Sequence, residues 1–318
     1  MREITVNQAI AEAIAEEMRV DPRVIMFGEG VATKRQELVT EFGRGRVRNT
    51  PLAEGIIAGT AAGAAATGLR PIVDLLFAPF LCHSMDEIVN SAGKLRYISG
   101  GQFSFPLVVL AMTGAGWAIG GQHNHNLESW FVHSPGLKVV MPSMPYDFKG
   151  LLKTAIRDDN PVIFFTDLAL SYQTGNVPVD DYAVPLGKAA IRREGTDVTI
   201  ITYAKTAHSC LEAAGILAKN GVSAEVIDLR SLKPIDEDTI LQSVHKTGRV
   251  LVVHEASRMC GVGAEVAAIV GEKAFNSLKA PVLRVTGPDV PAPSSYPLEQ
   301  AFVPQPQGIV EAVSRLID

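Results

Sequence analysis

The chain has 318 residues, 47% hydrophobic and 20% charged, with 28 glycines and 19 prolines, too long for one ordinary core and too balanced for a disordered or fibrous protein. A formal net charge of −5, with no run of Lys or Arg longer than two, leaves no basic footprint for nucleic acid or an anionic membrane. Three widely spaced cysteines with no CxxC pairing suggest neither a disulfide framework nor a zinc site and fit a reducing cytoplasm. With only 6% aromatic residues, the core must come largely from Ala, Val, Ile and Leu, which suits helices packed on parallel strands. Two α/β domains are expected.

Thr5-Val-Asn-Gln8 reads as a capping box, and Ala9, Ile10, Ala13, Ile14, Glu17 and Met18 continue it at helical spacing. Val24 to Phe27 is a short buried strand closed by Gly28-Glu-Gly30. Residues 33–48 are charged and glycine-broken, an exposed connection with one helical turn. From Pro51 to Gly68 nearly every residue is small or apolar, and Gly59 with Gly63 has the GxxxG spacing of membrane helices. A membrane span needs about 20 apolar residues, whereas this run carries Glu54 and ends at Arg70-Pro71. The expectation is a deeply buried soluble helix with Pro at its first turn and Gly at its end.

Strands are then expected at 71–77, 106–112, 137–141 and 162–165, with helices at 85–97 and 146–157. A glycine-rich loop from Gly114 to Gly121 leads into His123. Alternating strand and helix give a doubly wound parallel sheet. The Pro-, Gly- and charge-rich stretch 173–197 holds the domain boundary. A second α/β unit follows, with elements at 198–203, a helix at 207–220, then 224–228, 236–244, 250–254, a helix at 262–275, and 282–285.

Neither Gly28-Glu-Gly30 nor Gly114-Ala-Gly116 has the third glycine of GxGxxG, and GxxxxGK[ST] is missing, so a simple dehydrogenase or ATPase is disfavoured. Glu54 is more informative. A carboxyl beside an apolar helix has a raised pKa unless paired and can shuttle a proton; the alternative is a carboxylate that favours the helix dipole. His123 and His125 follow a strand and a flexible glycine run, where catalytic groups often sit. Only Glu128 stands near them as a further ligand, so proton transfer is favoured over metal binding. His133 and His254 read as structural. Cys82 beside His83 carries little weight as a nucleophile, since sequence neighbours are not thereby oriented.

At Asn49-Thr-Pro-Leu-Ala-Glu54 a wider pattern emerges. With Gly28-Glu-Gly-Val-Ala32, Val89-Asn-Ser-Ala-Gly-Lys94, Phe131-Val-His-Ser-Pro-Gly-Leu-Lys138, Ala155-Ile-Arg-Asp-Asp-Asn-Pro161 and Arg284-Val-Thr-Gly287, the chain resembles the beta subunit of the thiamine-diphosphate-dependent first component of 2-oxo acid dehydrogenase complexes, over nearly its whole length. The resemblance implies a pyrimidine-binding domain at residues 1–187 and a transketolase C-terminal domain at 188–318. It implies that Glu54 contacts the aminopyrimidine ring nitrogen of thiamine diphosphate and favours the imino tautomer that deprotonates the thiazolium. Leu52, Leu76 and Phe80 match cofactor-contact positions. His123 matches the active-site histidine implicated in acyl transfer to lipoyl groups. Leu107, Ala155, Asp158 and Asn160 match positions around a monovalent cation, K⁺, in some relatives.

The chain has no Gly-Asp-Gly motif, so a separate alpha subunit is expected to hold Mg²⁺ and the diphosphate in an α2β2 heterotetramer. The small-residue helix after Glu54 would serve as an assembly surface. The expected activity is oxidation of a 2-oxo acid or of acetoin, with the acyl group passed to a lipoyl-bearing acyltransferase. A two-chain carboligase or split transketolase, and a non-catalytic scaffold subunit, are the alternatives. Three departures bear on substrate: His123-Asn-His125 where many relatives have His-Ser-Gln, Leu76 where many have Gln, and a shortened segment between Gly28 and Thr50.

Overall fold

Thr5 caps the first helix as its sequence implies: the Gln8 N–H donates to its hydroxyl at 3.2 Å, and its own N–H donates to the Gln8 side chain at 2.8 Å. The computed structural model describes residues 1–317. In chain order the strands are β1 (Arg2–Thr5), β2 (Val24–Glu29), β3 (Val47–Thr50), β4 (Arg70–Phe77), β5 (Val108–Thr113), β6 (Lys138–Val140) and β7 (Val162–Asp167). They continue as β8 (Thr174–Val177), β9 (Ala190–Arg193), β10 (Val198–Thr202), β11 (Ala224–Asp228), β12 (Ser231–Lys233), β13 (Val250–Ser257) and β14 (Leu283–Gly287).

One sheet has the order β12-β6-β7-β5-β4-β2-β3 and the other β14-β13-β10-β11-β9, while β1 and β8 form a separate antiparallel ribbon. All pairings in the two large sheets are parallel except β12 on β6 and β9 on β11. This is the expected pair of doubly wound α/β units. Interior strands such as β7, Val-Ile-Phe-Phe-Thr-Asp, are almost wholly buried, as strands covered on both faces must be.

The two units are tied together. β12 comes from the second half of the chain yet extends the first sheet. Beside it Arg230 donates to Asp147 Oδ1 at 2.8 Å, and Arg192 bridges Asp147 and Asp228, its contact with Asp228 being 2.7 Å. Asp147 lies on helix Pro145–Arg157 of the first unit. That helix also buries Lys149 and Lys153, each of which meets Glu16 of the first helix at 2.6 Å.

Three expectations need correction. The connection over 33–48 holds two short helices, Val31–Lys34 and Gln36–Phe42, and then β3. β3 is hidden in the sequence because an edge strand buries only one of its residues, Val47. The helix expected at 85–97 is a π-helical turn (Asp86–Ala92) and a short α-helix (Leu95–Ile98), preceded by a 3₁₀ turn (Ala78–Ser84). The small-residue helix, Glu54–Ala66, is only half buried. Ile57, Ala58, Ala61, Ala62 and Ala65 face inward, while Ile56, Thr60, Gly63 and Thr67 are exposed at three- and four-residue steps.

Gly59 of that helix faces Glu87 within the chain, whereas Gly63 borders open space. Pro51 lies outside the helix. The end is set by Gly68 at φ +99: Gly68 N–H donates to the Ala65 carbonyl and Leu69 N–H to that of Ala64, a Schellman closure. No helix among the described residues is long and apolar enough to cross a membrane.

Candidate active site at the carboxyl ends of four strands

β3, β2, β4 and β5 are successive neighbours and run parallel. Their carboxyl ends therefore open on one edge of the sheet, where doubly wound folds place ligands. β3 leads through Pro51-Leu-Ala to Glu54, the half-buried first residue of helix Glu54–Ala66; Leu52 beside it is 68% exposed.

The pairing of β2 with β4 ends at Gly28, opposite Asp74. A Cβ on Gly28 would lie 2.3 Å from the Asp74 carbonyl oxygen, and its φ is +155, so only glycine lets the two strands stay in register here.

β4 ends in a bulge: its pairing with β5 steps from Asp74↔Leu110 to Phe77↔Met112. The extra residue falls at Leu76, whose φ is +61 and whose N–H donates to Asp74 Oδ1 at 3.0 Å. Bulges of this kind re-aim side chains beside functional sites. The 3₁₀ turn that follows carries Phe80. From β5 the glycine-rich loop runs to helix Gly121–Asn124, which carries His123. The His123 ring packs edge-on to Phe77 at 4.9 Å and to Phe80 at 5.3 Å, and the two phenyl rings meet at 5.9 Å. Phe80 and His123 are thus brought together. Phe77 completes the cluster and was not singled out in the sequence, where it reads only as the last apolar residue of a strand.

Leu107, Ala155, Asp158 and Asn160 also gather, but at the amino ends of β5 and β7, on the opposite edge. Val162 N–H donates to the Leu107 carbonyl at 2.8 Å and Asp158 N–H to that of Ala155 at 3.3 Å. Arg70 donates to the Asp158 carbonyl at 3.1 Å, and the Asp158 carboxylate holds Asn160 at 2.9 Å and pairs with Lys138.

Two family models cover most of the chain: the transketolase pyrimidine-binding domain matches residues 2–171, and the transketolase C-terminal domain residues 187–309. The chain is 42% identical to the acetoin:2,6-dichlorophenolindophenol oxidoreductase beta subunit of Bacillus subtilis, over 99% of this chain and 98% of that protein. It is 44% identical to the pyruvate dehydrogenase E1 component beta subunit of Porphyra purpurea, over 100% and 98%. The chain belongs to the transketolase-like E1 beta-subunit family. A solved structure of a split-gene transketolase, in an inactive β4 tetramer, superposes with a TM-score of 0.83 at 26% identity, over 99% of this chain and 98% of that one.

In this E1-type beta chain a second set of ionisable groups is buried between the units. Tyr203 OH donates to Glu128 Oε1 at 2.7 Å, and the Tyr203 ring stacks on His254 at 5.8 Å. His254 is fully buried against Gly261 and Gly263, neither of which leaves room for a Cβ. Burial holds the His254 imidazole down at about 4 and pushes the Glu128 carboxyl up to about 6. Cys82 is exposed, and partial desolvation pushes its thiol up, away from the thiolate a nucleophile needs.

The two buried groups act on stability with opposite signs. Because the folded His254 value lies below that of a free imidazole, about 6.5, its contribution is complete above that pH and drains away as the pH falls toward 4. Glu128 is raised in the folded state, so its contribution grows as the pH falls through 6. Replacing His254 by Asn is expected to remove about 2 kcal/mol from the loss of unfolding free energy between pH 7 and pH 5. Urea unfolding at the two pH values measures this; identical losses in wild type and H254N contradict a neutral buried imidazole.

Proposed function

We propose that this chain is the beta half of a thiamine-diphosphate-dependent enzyme that oxidises a 2-oxo acid or acetoin and hands the acyl group to a lipoyl-bearing acyltransferase. The observation that carries this reading is the convergence of Glu54, Leu76, Phe80 and His123 on one sheet edge, in a chain with the pyrimidine-binding domain. Identities of 42% and 44% to E1-type beta subunits, against 26% to a split transketolase, favour it over a carboligase or scaffold role. In this reading the first domain spans 1–187 and the second 188–318, and the enzyme works in the cytoplasm.

Thiamine diphosphate, when bound, supplies the carbanion chemistry. The donors present here suit its pyrimidine end only: a half-buried carboxylate, an aromatic face at Phe80 and apolar contacts at Leu52 and Leu76. Glu54 holds a proton at the pyrimidine ring nitrogen. Phe80 would offer its aromatic face to that ring, and Leu76, held in a left-handed turn, would add an apolar contact. His123, braced between Phe77 and Phe80, moves a proton on the acyl-transfer side. The sequence has no Gly-Asp-Gly motif, and in this reading Mg²⁺ and the diphosphate fall to the alpha subunit.

Exposed Ile56, 73% accessible, borders a groove of about 640 Å³ that is also lined by Ile25, Phe27 and Ala64. Apolar surface of this kind marks an assembly face and supports an α2β2 heterotetramer. K⁺ would fit the carbonyls of Leu107, Ala155 and Asp158 and the residue Asn160, because a carbonyl that accepts one N–H keeps a second lone pair.

Co-purification with the alpha chain, followed by a screen of pyruvate, branched 2-oxo acids and acetoin with an artificial electron acceptor, tests the activity. Dye reduction that needs both chains, thiamine diphosphate and one of these substrates is expected. No turnover of any of them by the loaded tetramer contradicts the reading.

A further inference from the structure

The loop that delivers His123 contains Gly114, Gly116, Gly120 and Gly121, and a segment so rich in glycine does not hold one conformation by itself. What holds it comes from the second unit. Ala115 N–H donates to Glu255 Oε1 at 2.5 Å, and Asn126 Nδ2 donates to the same oxygen at 3.3 Å. Lys205, paired with Glu255 Oε2 at 2.7 Å, donates to the Ala115 carbonyl. Pro291 presses on Gly121, where a Cβ would lie 2.8 Å from it.

Closer to His123 along the loop, the second unit contributes Glu299, on helix Tyr296–Phe302 and 0% exposed. Its carboxylate accepts the Ala118 N–H at 3.1 Å and Asn124 Nδ2 at 2.8 Å. Ala118 has φ +52, a left-handed conformation that a non-glycine residue keeps only when its surroundings hold it. Asn124 is buried and directly follows His123.

We infer that Glu299 is a positioning residue for His123, clamping the glycine loop through Ala118 and Asn124 so that the second unit sets the imidazole's place in the first unit's site. Among the described residues the carboxylate has no other hydrogen-bond donor and no ion-pair partner. Burying a charged carboxylate is costly unless it is hydrogen-bonded, so the order of the loop and the burial of Glu299 are one coupled equilibrium. This inference rests on the role of His123 in acyl transfer proposed above.

The test uses the reconstituted complex with the alpha chain and a lipoyl domain as acceptor. Glu299→Ala is expected to speed amide exchange of residues 115–124 and to lower kcat for lipoyl acylation about tenfold, with the KM for the lipoyl domain unchanged, since small misplacements of a catalytic group cost rate rather than binding. Glu299→Gln retains an oxygen that can accept both N–H groups and is expected to stay within about threefold of wild type. Asn124→Ala is expected to reproduce the Ala phenotype, with the double variant no worse than either alone. Unchanged exchange in 115–124, or a Gln variant as impaired as the Ala variant, overturns the clamp. A His123→Ala complex that still acylates the lipoyl domain at the wild-type rate instead overturns the reading of His123, and the exchange data then report on the clamp separately.

Discussion

Glu54→Ala is expected to lower thiamine-diphosphate-dependent turnover of the reconstituted complex by roughly 10²- to 10⁴-fold, the range that a positioned proton-transfer group contributes, while leaving the complex assembled. The two halves of that expectation come from different properties of one residue. As the first residue of its helix, Glu54 contributes to stability chiefly through the helix dipole, about 0.3–1 kcal/mol for a surface carboxylate. Helix Glu54–Ala66 is otherwise held by its alanine content, its closure at Gly68 and the buried row from Ile57 to Ala65, none of which the substitution touches. A large loss of rate with little loss of folding identifies chemistry rather than architecture. Turnover and light scattering on the same sample measure both; normal turnover in E54A contradicts the proton role.

Asp147→Ala is expected to cost about 3–5 kcal/mol of unfolding free energy, the range for breaking a buried ion pair by removing one partner. Asp147 is fully buried and takes Arg230 on one oxygen and Arg192 on the other. Without it both guanidinium groups stay between the units, with Asp228 as the remaining carboxylate in contact with Arg192. Burial, and after it the neighbouring Asp147 carboxylate, pushes the Asp228 carboxyl above its ordinary range against the pull of Arg192. Arg230 immediately precedes β12, the strand that the second unit lends to the first sheet, so the loss is expected to loosen the seam between units. Urea unfolding at neutral pH reads the effect, and a change below about 1 kcal/mol, typical of a surface pair, contradicts a dry network.

Much of the fold could be read from period and punctuation. The capping box at Thr5, the buried runs of β2, β4, β5 and β7, and the helix over 145–157 all lie within a few residues of their expected places. Elements stabilised by tertiary contacts left weaker traces. β3 has one buried residue, and β12 is a three-residue strand defined by its partner β6. Helix Pro306–Ile317 is a different case: Ile309, Val310, Ala312, Val313 and Leu316 are spaced for a buried helical face, so its signal was present in the sequence.

The candidate site divides in the same way. Glu54 and His123 lie in recognisable motifs, but their common sheet edge follows from the strand order β3-β2-β4-β5, which no local pattern encodes. Phe77 is aimed by a bulge whose cause, a left-handed Leu76, has no residue signature, since glycine is the usual occupant of such torsions. Glu255 and Glu299 reach the loop from more than a hundred residues away, and only the packing of the two units makes them its donors' partners.

In the proposed reading this chain carries half of a cofactor site. Calorimetric titration of Mg²⁺ and thiamine diphosphate, first into the chain alone and then into the chain assembled with its alpha subunit, tests it most directly. Weak, Mg²⁺-independent binding to the isolated chain and tight, Mg²⁺-dependent binding to the assembly are expected. Tight Mg²⁺-dependent binding to the isolated chain would contradict it.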